Sequence, residues 1–63
     1  YQVTRTGKRE GGISFWSYKG KQLVAVEVFS DPATYMEAKQ CLDTGRSPDP
    51  DLIGDVSFSP IGD

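Results

Sequence analysis

The stretch ISFWSYKGKQLVAVEVFSDPATYMEAKQCLDTG, residues 13–45, decides the fold. Its first half holds two segments rich in β-branched and aromatic residues, Ile13 to Tyr18 and Gln22 to Phe29. Between them Lys19-Gly20 offers a glycine able to take the positive φ of a tight hairpin turn. The second half opens on Ser30 and Asp31, both good helix N-caps, and on Pro32, whose missing N–H removes no bond from a first helical turn. Gly45 is a natural left-handed stop. The stretch therefore reads as a β-hairpin running into a capped helix.

If Lys19-Gly20 is the loop, Tyr18 faces Lys21, Trp16 faces Leu23, Phe15 faces Val24 and Ile13 faces Val26. A period of two then sorts the side chains. Ile13, Phe15, Val24, Val26 and Val28 form one face, which is expected to be the core. Ser14, Trp16, Tyr18, Lys21, Leu23, Ala25, Glu27 and Phe29 form the other. On the helix, Tyr35, Ala38, Cys41 and Leu42 fall on one side at helical spacing and should lie on the valine face. Met36 points toward Lys39 and Gln40, away from that side.

Outward from this core, Tyr1 to Thr6 alternates weakly and reads as a first strand, and the glycine-rich residues 7–12 read as a loop. From Arg46 onward the chain is polar and punctuated by proline, which bars a continuous helix. Asp55 to Ser59 alternates Val56 and Phe58 with polar residues, the pattern of an edge strand ended by Pro60. The expectation is one small α+β domain over residues 1–63. It has an antiparallel sheet of three or four strands with one α-helix packed on one face, the sheet and helix lying in 1–45 and a connector with an edge strand in 46–63.

A chain of 63 residues builds one small core, burying roughly 60% of the surface its unfolded form exposes. Its single cysteine, Cys41, cannot form an internal disulfide, which points to a reducing, cytoplasmic setting. No apolar run is long enough to cross a bilayer, so no membrane role is expected. The formal net charge of −2 hides a segregation. Arg5, Lys8, Arg9, Lys19 and Lys21 oppose only Glu10 in residues 1–22, whereas Lys39 and Arg46 oppose eight carboxylates in residues 23–63. Such asymmetry suits either a basic surface that meets an anion or two solvated faces that attract each other.

Histidine and asparagine are absent. That removes Ser-His-Asp and Cys-His mechanisms, histidine metal sites and the usual general base near neutrality. Cys41 sits late in the helix, where the dipole disfavours a thiolate, so it reads as a small buried apolar residue. Asp49, Asp51, Gly54 and Asp55 match part of a calcium loop. Ile53 and Pro60 stand where further ligands belong, which leaves a solvated acidic connector. Gly7, Gly11 and Gly12 match no phosphate-binding fingerprint. Neither catalysis nor a cofactor nor a metal is expected.

The remaining candidate for function is the face carrying Trp16, Tyr18, Lys21, Leu23 and Phe29. Tryptophan, tyrosine and phenylalanine are preferred anchors of protein interfaces, so this face is expected to contact a protein partner or a second copy of the chain. The alternative is nucleic acid, with bases stacked on the aromatics and Arg5, Lys8 and Arg9 extending a basic track. A third reading has the N-terminal segment or the tail folded over the same face. In layout alone, three strands followed by a helix over roughly residues 1–45 resembles the DNA-binding arm domains of tyrosine integrases and the plant AP2-type domains. Those domains use the sheet face, but their arginine-rich strands have no counterpart here.

Overall fold

The computed structural model describes residues 1–7 and 10–61. Three strands and one helix follow in order: β1 (Gln2–Thr6), β2 (Ile13–Lys19), β3 (Gln22–Phe29) and α1 (Pro32–Thr44). The strands form one antiparallel sheet in the order β1-β2-β3, and α1 packs beside β3. The fold is the small α+β arrangement that the sequence leads one to expect.

The helix forms where its end signals place it. Asp31 is the N-cap: Oδ1 accepts from the Thr34 N–H at 3.2 Å, and Oδ2 accepts from the Thr34 hydroxyl at 2.6 Å. At the other end Gly45 takes the left-handed conformation with φ 73°. Its N–H and that of Arg46 return to the Leu42 and Cys41 carbonyls, the Schellman pattern that satisfies the last turn. The buried stripe is narrower than its spacing suggests. Thr34, Ala38 and Cys41 face inward, while Tyr35 and Leu42 are exposed beside β3, and so is Met36.

A hairpin joins the two expected strands, but its loop lies one residue later than the expected Lys19-Gly20, so Tyr18 does not face Lys21, and its faces are exchanged on β2. The two-residue loop is Gly20-Lys21, closed by Lys19 opposite Gln22, with Gly20 at φ 62°. Tyr18 pairs with Leu23, and an irregularity between Ser17 and Tyr18 then moves the register so that Trp16 pairs with Val26 and Ser14 with Val28. An extra residue in one strand turns every residue beyond it to the other face. Trp16, Tyr18 and Leu23 thus share the core with Ala38, Cys41 and Ile53, and Val3, Val26 and Val28 pack against them. Ile13 and Phe15 lie on the opposite face, and Val24, expected inside, is half exposed.

The tail supplies the missing lid. Residues 46–61 run over the Trp16 and Tyr18 side of the sheet as a series of turns and bury Pro48, Pro50, Ile53 and Pro60. No strand forms at Asp55 to Ser59. Instead the Asp55 carboxylate accepts from the Ser57 N–H at 2.9 Å and hydroxyl at 2.8 Å, curling the segment, and main-chain carbonyls that an edge strand would pair with a neighbour are taken by Arg5.

Candidate interaction surface

Of the side chains the sequence nominates for contact, most are internal. Trp16 is fully buried and its indole N–H donates to Ser14 Oγ at 2.8 Å. Tyr18 is buried, its hydroxyl donating to the Pro48 carbonyl at 2.8 Å, and burial, with smaller contributions from Tyr1, Cys41 and Asp49, pushes its pKa up to about 12. Leu23 lies in the core beside them. These three cannot anchor a partner, because the tail and α1 already cover them, so the reading in which the chain folds over its own aromatic face is the one that holds. Lys21 is exposed in the turn, and Phe29 is exposed on the other face of the sheet. The five side chains therefore do not form one surface.

Arg5, expected to extend an anion track, is an internal clamp. Only 5% exposed, its guanidinium donates from Nη1 to the carbonyls of Ile53 at 2.9 Å and Asp55 at 2.8 Å, and from Nη2 to that of Phe58 at 2.6 Å. A delocalised, planar, permanently charged fork suits several fixed carbonyls at once. Lys8 and Arg9 lie outside the described residues.

The groups with chemical potential are likewise engaged in holding the fold. A polar cavity of about 210 Å³ lies between the end of β1, the start of α1 and the tail, lined in part by Arg5, Asp31, Thr34, Glu37, Ser57 and Ser59. Both Asp31 oxygens accept from Thr34, and Arg5 faces carbonyls. Cys41 is buried, and burial pushes its thiol pKa up, opposed by Arg46 and reinforced by Glu37, which disfavours a thiolate. In the acidic connector, Asp49 Oδ1 accepts from the Asp51 N–H at 2.8 Å in a local turn. Among the described residues no group of three or more side chains could hold a metal ion, and no helix is long and apolar enough to cross a membrane.

What the molecule does leave open is the face of the sheet opposite α1 and the tail. Thr4, Thr6, Ile13, Phe15, Ser17, Ala25, Glu27 and Phe29 face it by alternation with the core positions. Phe15 and Phe29 meet there edge to face, with ring centroids 6.1 Å apart and an interplanar angle of 72°. Ile13 pairs across the strands with Phe29, and Phe15 with Glu27. The sequence carries a signal for this surface, since alternation groups Ile13 with Phe15. The valines of β3 complete an apolar set with them in an unbroken register, and that points the group inward.

A family model described as Reductase C-terminal matches residues 1–59. No curated protein and no solved structure matches the chain.

Proposed function

This chain belongs to the reductase C-terminal family, and we propose that it is a non-catalytic accessory domain that packs against the rest of a reductase polypeptide through its open sheet face. The observation that carries this reading is the Phe15–Phe29 pair, set with Ile13 on the face that neither the helix nor the tail covers. Burying an aromatic side chain contributes on the order of 1.5–3 kcal/mol, so this pair is a natural anchor. Among the described strand residues, alternation places two charged side chains on this face, Glu27 and Lys19, one of each sign, which favours a largely apolar mate over a polyanion. The absence of histidine, the buried thiol of Cys41 and the internal engagement of Arg5 and Asp31 support a role outside the chemical step.

Limited proteolysis of the reductase that carries this domain tests the proposal. The domain should be released slowly from the wild-type protein and several-fold faster from a Phe15→Ser/Phe29→Ser variant that keeps its own fold by near-ultraviolet circular dichroism. Equal release rates from the two proteins would rule out this face as the docking surface.

A further inference from the structure

The free edge of β3 is a second surface, and its hydrogen-bonding groups can be counted. Tyr18 bonds to Tyr1 in both directions, its N–H donating to the Tyr1 carbonyl at 2.8 Å and its carbonyl accepting from the Tyr1 nitrogen at 3.0 Å. Bonding alternates along an antiparallel strand, so Trp16 and Ser14 also bond toward β1, where they pair with Val3 and Arg5. Their opposite numbers on β3, Val26 and Val28, therefore direct N–H and C=O away from the sheet. Leu23, opposite Tyr18, does the same, and Ser47 Oγ accepts its N–H at 2.9 Å. Among the described residues no such partner meets Val26 or Val28.

Helix α1 stands alongside this edge and makes a groove with it. The groove has a volume of about 250 Å³ and is lined by Val26, Val28, Tyr35, Ala38 and Leu42. Lys39 and Asp43 stand at it too, paired with each other at 3.2 Å, so the charges there cancel. Edge strands are commonly guarded by lysine or proline, and β3 has neither between Leu23 and Phe29.

We propose that β3 accepts a fourth strand from the same reductase polypeptide, an extended segment of alternating apolar residues without net charge. It bonds to the main chain of Val26 and Val28 and lays every second side chain into the groove against Tyr35 and Leu42. This rests on the reading of the chain as a docked reductase domain and names the mode of contact. The cancelled Lys39–Asp43 charges favour an uncharged occupant, since an acidic or basic peptide would find no free counter-charge. A second copy of the chain fits less well. The register that pairs Val26 of one copy with Val28 of the other sets Glu27 directly against its own counterpart, and like charges so placed repel.

Amide hydrogen exchange on the intact reductase tests this. The Val26 and Val28 amides should be slowed on the order of a hundredfold or more relative to unstructured chain, independently of protein concentration. A Val28→Pro variant removes an N–H that β2 does not use. It should therefore abolish the slowing at Val26 while Glu27, bonded to β2, stays protected. Fast exchange at both valines in the wild type would overturn the fourth strand, as would slowing that disappears on dilution, which would assign the edge to a second copy. Proteolysis separates this from the docking itself: a domain that resists release yet exchanges freely at Val26 and Val28 is docked without the strand, whereas rapid release of the wild-type domain overturns docking.

Discussion

Arg5 and Phe58 are 53 positions apart, and the guanidinium of the first holds the carbonyl of the second at 2.6 Å. No strand joins the two segments. With its bonds to Ile53 and Asp55, this contact makes one side chain of β1 the chief polar tie between the sheet and the turns that cover it.

Replacing Arg5 by methionine keeps much of the side-chain volume and leaves these carbonyls without their donor. An unsatisfied buried polar group costs about 1–3 kcal/mol. Arg5→Met should therefore lower the stability of the domain by about 2–4 kcal/mol, since some of the carbonyls lie near water. Urea unfolding followed by Trp16 fluorescence measures it, and a change under about 0.5 kcal/mol, the level of a neutral surface substitution, would show that the tail is held by packing alone.

Tyr18 ties the tail at its other end, and its raised pKa has a definite consequence in alkali. The folded protein holds the phenolic proton up to about pH 12, whereas the unfolded chain releases it near the ordinary tyrosine value of 10.0. Between these values the folded state binds more protons than the unfolded state, so stability falls as pH rises. The contribution is complete below pH 10.0 and lost through about 12. Thermal melts of wild type and Tyr18→Phe should show a steeper alkaline decline in the wild type. At neutral pH the variant, lacking the bond to Pro48, should be less stable by about 1 kcal/mol.

The burial of the two strands gives opposite outcomes at Trp16 and Val24. Trp16→Ala empties a fully buried site and should cost about 3–5 kcal/mol. Val24→Asp, at a position 51% exposed, should stay within about 1 kcal/mol of wild type. Circular dichroism melts of the two variants decide the matter. Comparable destabilisation by both would mean that Val24 is buried as Trp16 is.

Gly7 is required for its lack of a side chain. A Cβ built there would collide with Oδ2 of Asp31, the oxygen that accepts from Thr34. Gly7→Ala should push the N-cap away from the helix and cost about 1–2 kcal/mol, the range seen when a cap is lost. Because that cap is already disturbed, adding Asp31→Ala should cost less in the Gly7→Ala background than in the wild type. Strict additivity of the two substitutions would separate Gly7 from the cap.

Features enforced between near neighbours in the chain are legible from the residues alone. Asp31, Pro32 and Gly45 bound α1 because capping is a contact within a few residues, and Gly20 marks the hairpin because a tight turn there needs a positive φ. The absence of histidine and the lateness of Cys41 in the helix already narrow the chemistry. Which face of the hairpin is buried emerges only once the whole chain is assembled. Both faces carry large apolar side chains, so alternation alone does not rank them, and the irregular pairing at Ser17 and Tyr18 moves Val26 and Val28 to the Trp16 side without a local signature. The tail then settles the burial. Arg5 reaches it through main-chain carbonyls, which every residue carries alike, so no residue type in 46–61 could reveal that partnership before the chain was folded. The open Phe15–Phe29 face is the outcome of that same choice, since a chain this short covers one side of its sheet and leaves the other open.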